Sequence, residues 1–173
     1  MPYYALFYYR KATGLRPYDS RMWCAMAGCY KGLQRMKEAI QCYQVAAALG
    51  DPRGLLTSHP IRTPPRSPQR AEANTDREGI ALQELARIFK EEEDMPHAAH
   101  YFRRILELRG GERGGDGAPE VQEALSFLAN FCKERGELRE ASQYCTRLVD
   151  SGSQFKEEAK AILREIHART TSG

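Results

Sequence analysis

Two histidines three residues apart, His97 and His100, fall on a helical stretch. At that spacing both imidazoles share one face and are close enough to share a metal. No third ligand accompanies them, and they flank the small pair Ala98-Ala99, so ordinary surface histidines are the simpler reading. Glu91-Glu92-Glu93-Asp94 is an acidic run; acid–base chemistry would need one of these carboxylates buried to shift its pKa, and a solvated turn fits better. Gly110–Gly117 lacks the lysine and hydroxyl of a phosphate-binding loop. The five cysteines, Cys24, Cys29, Cys42, Cys132 and Cys145, are odd in number and include no C-x-x-C pair. They are expected to be reduced core thiols in a reducing compartment. No nucleophile–base set stands out. The expectation is a protein without catalytic residues, metal or cofactor.

Composition agrees with a binding role. Of 173 residues, 42% are hydrophobic and 28% charged, as in folded, soluble proteins. The net charge is only +3. Its excess is concentrated between Arg53 and Arg70, which holds four arginines and no acid. Nucleic-acid binding requires basic charge clustered on a folded face, so nucleic acid is not an expected partner. No stretch approaches a membrane span and no secretory leader precedes the first periodic segment; an intracellular location follows as an expectation.

The elements that would position these residues are given by a repeat. Ala39, Tyr43 and Ala46 share one helical face, and 34 residues earlier the same spacing occurs as Ala5, Tyr9 and Ala12. Small–aromatic–small spacing at that period is the tetratricopeptide signature. Trp23, Met26, Ala27 and Tyr30 supply its first-helix half. The unit returns as Leu82, Leu85, Ala86, Phe89 with Ala98, Phe102, Ile105, and again as Leu125, Leu128, Ala129, Cys132 with Ala141, Cys145, Leu148. From Trp23 to Ala39, Leu82 to Ala98 and Leu125 to Ala141 the interval is 16 residues each time. A lysine (Lys31, Lys90, Lys133) ends each first helix, and Met36, Met95 or Leu138 opens each second one. The small residues Ala27, Ala86 and Ala129 allow close helix approach, with Tyr43 or Phe102 filling the space beside them. Trp23→Ala is expected to cost roughly 3–5 kcal/mol, as large-to-small core changes do.

The predicted fold is all-α, a tetratricopeptide-repeat (TPR) solenoid of antiparallel helix hairpins. Residues 1–16 form the second helix of a truncated repeat, and 19–51, 76–109 and 119–151 form full repeats. A disordered Pro/Arg/Ser insert occupies 52–75, a Gly-rich loop 110–118 and a capping helix 153–168. Thr75–Glu78 reads as a capping box, and Ser151–Gln154 as a similar cap for the last helix. The opening helix carries Tyr3, Tyr4, Phe7, Tyr8 and Tyr9, expected to lie partly uncovered where a preceding helix is missing.

The segments Tyr8–Ala12 and Leu15–Met22, with Cys29-Tyr30, Glu38-Ala39-x3-Tyr43 and Leu49-Gly50-Asp51, are more specific than a generic repeat. They resemble the subunit 8 family of the anaphase-promoting complex (cyclosome), also called the cell division cycle protein 23 family. The likeness continues through Ile80–Ala86 and Phe127–Ala129 to Glu157–Leu163, and covers nearly all of the chain except the two inserts. It implies a non-catalytic scaffold subunit of a mitotic E3 ubiquitin ligase, in nucleus and cytoplasm. It further implies contacts with other cyclosome subunits and with the C-box segment of coactivators. Homodimerisation in the family uses N-terminal repeats that this sequence lacks. A TPR adaptor or co-chaperone outside the cyclosome is the alternative.

In stacked repeats the first helices line the concave surface. The candidates for a peptide groove are Arg21, Cys24, Gly28 and Lys31; Gln83, Arg87 and Lys90; Ser126, Asn130 and Lys133, with Ile80 and Glu123 on the same side. Arg, Lys and Asn can form charge-assisted hydrogen bonds to a peptide; solvated helix faces are the plainer reading. Such a groove is basic and suits an acidic peptide, whereas C-box segments contain arginine. Thr63-Pro64 and Ser67-Pro68 are minimal proline-directed phosphorylation sites in the insert. Phosphate there would add about −1.5 to −2 charges each.

Overall fold

The structure is a computed structural model that describes residues 2–50, 79–109, 117–152 and 154–171. The insert with Thr63 and Ser67, the Thr75–Glu78 capping box and most of the Gly-rich run lie outside the described residues. The described elements are α1 (Pro2–Leu15), α2 (Ser20–Gly32), α3 (Met36–Gly50), α4 (Ile80–Glu91), α5 (Met95–Arg109), α6 (Pro119–Glu134), α7 (Leu138–Asp150) and α8 (Lys156–Thr171). No strand occurs among the described residues, and the fold class is all-α. The chain divides into two compact units, Met1–Ile88 and Phe89–Gly173, with the boundary inside α4.

In the first unit α2 packs on both α1 and α3. Asp19 starts α2: its buried carboxylate accepts from the Arg21 backbone N at 3.2 Å, satisfying one of the unpaired amides of a helix start. The Arg21 guanidinium closes on the same carboxylate through Nε and Nη2, at 3.2 and 3.3 Å. Ala27, Ala39 and Ala46 are fully buried, and Tyr43 fills the space near them. Burial pushes the Tyr43 phenol up to about 12. On α1 the expected counterparts Ala5, Tyr9 and Ala12 are only half-covered; Leu6 and Thr13 are the buried positions. Tyr3, Tyr4, Phe7 and Tyr8 are exposed.

Trp23 differs from the expectation of a core indole. It is partly exposed, and its Nε1–H donates to the Pro17 carbonyl at 2.8 Å. A polar N–H anchored at the helix entrance holds the ring across the start of α2, so truncation leaves a smaller void than a core change would. The expected cost falls to about 2–3 kcal/mol. The cysteines are also not alike. Cys42, Cys132 and Cys145 are buried, and burial pushes each thiol up to about 11. Cys24 and Cys29 are partly exposed, because each lies beside the apolar stripe of α2 instead of within it.

In the second unit α6 is the central helix, packed on α5, α7 and α8. Leu125, Leu128, Ala129 and Cys132 have no exposed surface. Phe102 of α5 meets Phe127 of α6 with ring centroids 4.7 Å apart, a tilted pair of favourable geometry. The last helix, expected from Ser153, begins at Lys156. Ser151 is not a cap for it: the Ser151 hydroxyl donates back to the Leu148 carbonyl at 3.0 Å, and Gly152 at φ +64° ends α7. Two carboxylates in the first turn of α8, Glu157 and Glu158, suit its positive end. α8 buries Ala159, Ile162 and Ile166 and leaves Lys156, Glu157, Ala161 and Arg164 exposed.

One turn is made three times. At the eleventh residue after Trp23, Leu82 and Leu125 the backbone enters the left-handed region: Gln34 (φ +60°), Glu93 (φ +60°) and Gly136 (φ +78°). The next amide then reaches back to the first helix, Arg35 N to Tyr30 O, Asp94 N to Phe89 O and Glu137 N to Cys132 O, each at 2.9 Å. Second helices follow at Met36, Met95 and Leu138.

Candidate functional site

The candidate residues all lie on first helices, where a helical period places them away from the buried stripe. In the first unit they are Arg21, Cys24, Gly28 and Lys31 on α2, and Gln83 and Arg87 on α4. Gly28 is exposed, and a Cβ there would meet nothing within 4 Å, so close packing does not demand glycine. Arg21, expected as a groove cation, is bound to Asp19; that hydrogen bond and charge raise its pKa. Lys31 Nζ sits 2.9 Å from Glu84 Oε2. Arg87 approaches the other oxygen of Glu84 at 4.0 Å.

The second unit repeats this arrangement. Lys90 Nζ lies 4.0 Å from Glu123 and 5.9 Å from the centroid of the Phe127 ring. Asn130 Nδ2 donates to Glu158 Oε1 at 3.0 Å and to the Ser126 carbonyl at 3.2 Å. Lys133 Nζ lies 3.3 Å from Glu165, whose other oxygen accepts from Arg169 at 2.8 Å. The lysine closing each first helix is thus held by a carboxylate on another first-type helix, with α8 playing that part for Lys133. These side chains are partly solvated, so each pair is worth at most about 1 kcal/mol. Their chemical consequence is larger. The faces are not simply basic: they present carboxylate oxygens as well as cations. Sequence reading singled out Glu123 but missed Glu84, Glu158 and Glu165. Glu84 and Glu165 lie three and four residues from a cation on their own helices (Arg87, Arg169), the spacing that marks an ion-paired face, whereas Glu158 carries no such mark because Lys160 pairs with Glu157.

The two histidines do not converge. His97 Nδ1 is 2.8 Å from Asp94 Oδ2, and its ring stacks on Phe89. His100 instead packs edge-on against Tyr101. Among the described residues one group of three possible metal ligands occurs, Cys132, Glu137 and Glu140. Arg103 occupies its centre, with Nη2 at 3.9 Å from Cys132 Sγ, 3.8 Å from Glu137 and 3.4 Å from Glu140. The cation already neutralises those carboxylates. The buried Cys132 thiol, pushed up to about 11, is a poor nucleophile near neutral pH.

Comparison with known proteins agrees with the hairpins. A tetratricopeptide repeat family model matches residues 20–49, which cover α2 and nearly all of α3. The chain is 41% identical over 138 residues to anaphase-promoting complex subunit 8 of Dictyostelium discoideum, a match covering 80% of this chain and 19% of that protein. It is 42% identical over 103 residues to anaphase-promoting complex subunit 8 of Arabidopsis thaliana, covering 60% of this chain and 17% of that protein. The chain therefore spans about a fifth of the length of the curated relatives it matches. Over the stretch they share, the chain is similar to anaphase-promoting complex subunit 8, and its fold is of the all-α tetratricopeptide-repeat class.

Proposed function

We propose that the chain acts as a non-catalytic scaffold segment of the anaphase-promoting complex, holding other subunits and a coactivator segment within this mitotic E3 ubiquitin ligase. The observation that carries this reading is the 41% identity to a subunit 8 over 138 residues. The match spans 138 residues, longer than any one hairpin, so it takes in first and second helices alike. Nucleus and cytoplasm are the compartments this role requires. Among the described residues no helix is long and apolar enough to cross a membrane.

The mixed charge of the first-helix faces favours an arginine-bearing segment over the purely acidic peptide suggested by the lysines alone. Glu84, Glu123, Glu158 and Glu165 are carboxylate acceptors already paired with lysines or an amide. A guanidinium binds a carboxylate through two parallel hydrogen bonds and displaces an ammonium that offers one. Affinity purification of the full-length protein, followed by identification of its companions, tests the assignment. Recovery of other cyclosome subunits is the expected result. A set made only of chaperones would move the chain to a TPR co-chaperone or adaptor role. Glu158→Lys and Glu165→Lys in the same protein are expected to weaken coactivator recovery while core subunits remain.

A further inference from the structure

The first unit holds a cleft of about 710 Å³ between α1, α2 and α3. It lies on the face of α2 opposite Arg21, Cys24, Gly28 and Lys31, since Trp23 and Met26 point there. Its floor is apolar, formed by Trp23, Met26 and Val45, and its rim carries Arg10, Glu38 and Gln41. A volume of this size accommodates a bulky side chain with the backbone on either side. The indole N–H is already used by the Pro17 carbonyl, so what the ring offers a ligand is its carbon surface.

The two rim charges are not equivalent. Glu38 is engaged by its own backbone amide and by the Arg35 guanidinium, with Nε at 2.8 Å from Oε1, and these bonds, in that order, hold its carboxyl below the usual range. Arg10, exposed on α1, has no carboxylate within ion-pair reach among the described residues. A cleft with an apolar floor and an available guanidinium at its edge selects a ligand with an apolar side chain beside a carboxylate. The Gln41 amide can both donate to and accept from a peptide backbone.

We propose that this cleft is a second docking site, separate from the first-helix faces, for an extended segment of a partner protein. The segment places an apolar side chain against Trp23 and an adjacent Asp or Glu carboxylate on Arg10. Trp23 is the sole tryptophan of the chain, so its emission reports occupancy directly. The full chain is titrated at low salt with the blocked peptide Gly-Glu-Leu-Glu-Gly and, separately, with Gly-Lys-Leu-Lys-Gly. The acidic peptide is expected to shift Trp23 emission saturably and the lysine peptide not to. Arg10→Glu is expected to weaken the acidic peptide at least tenfold and to admit the lysine peptide, a reversal that loss of structure cannot produce. Circular dichroism checks its fold; should it unfold, Arg10→Gln is expected to abolish the preference for the acidic peptide. Lys31→Met, on the opposite face of α2, is expected to leave both titrations unchanged. The proposal is overturned by an absent or non-saturable response, by equal binding of the two peptides, by an affinity indifferent to Arg10, or by loss of binding in Lys31→Met.

Discussion

The α2–α3 hairpin of the first unit and the α6–α7 hairpin of the second share one backbone plan but build it from different residues. Where α6 places Leu125 with no exposed surface, α2 places the partly exposed Trp23, tied to the Pro17 carbonyl. α2 starts on a side-chain cap from Asp19; α6 starts at Ala118 without one and relies on Pro119 in its first turn. The turn that follows uses Gln34 in one case and Gly136 in the other, at nearly the same positive φ. The difference teaches that the repeat specifies sites of burial and turning, while several side chains satisfy each site with different strengths. At the helix entrance the first hairpin uses polar anchors, Asp19 and the Trp23 N–H, where the second uses Pro119 and the enclosed Leu125.

That contrast can be broken at its strongest point first. Leu125→Ala is expected to destabilise the protein by about 3–4 kcal/mol, because a fully enclosed leucine leaves a cavity that rigid neighbours cannot fill. Trp23→Ala, at the equivalent position, is expected to cost about 2–3 kcal/mol despite its larger side chain. Urea denaturation of both variants measures the two, and a greater loss for Trp23 would show that the indole is core after all. Next in size is the cap. Asp19→Ala is expected to cost about 1–2 kcal/mol, while Ala118→Asp should stabilise α6 by about 0.5–1 kcal/mol by supplying what it lacks. The turns sharpen the comparison further. Gly136→Ala is expected to lose about 1 kcal/mol, and Gln34→Gly to gain about 0.5–1 kcal/mol, as shifts of the thermal midpoint in opposite directions. The ion pairs should be smallest. Double-mutant cycles on Lys31–Glu84 and Lys133–Glu165 are expected to give under about 1 kcal/mol each, declining further in high salt. A cycle well above that would assign these pairs a structural role that their exposure does not predict.

How far the residues themselves foretold this depends on which physical term acted. The Ala27, Ala86 and Ala129 positions and the starts of α3, α5 and α7 were legible because helix periodicity and close packing act over a few neighbouring residues. The left-handed residue of each turn was visible only at Gly136; Gln34 and Glu93 carry no such mark, and their backbone is imposed by the helices on either side. Ser151 resembled a helix start because a serine hydroxyl can serve either end; its bond to the Leu148 carbonyl is a matter of geometry. The lysines Lys31, Lys90 and Lys133 were found by spacing, yet their carboxylate partners were not. Glu84 lies 53 residues from Lys31 in the chain, and no local rule connects them.

Sequence alone therefore determined the repeat, its helices and the likeness to anaphase-promoting complex subunit 8. Each of these rests on residue types at fixed intervals, which the chain carries whether folded or not. Tertiary structure decided which side chains remain available to a partner. Arg21 and the three lysines pair with carboxylates, Trp23 turns an apolar face to a cleft, and Arg10 stands at its rim with no acid in ion-pair reach among the described residues. The physical reason is that charge pairing and exposure depend on distances through space. Those distances are set only when helices from distant parts of the chain pack.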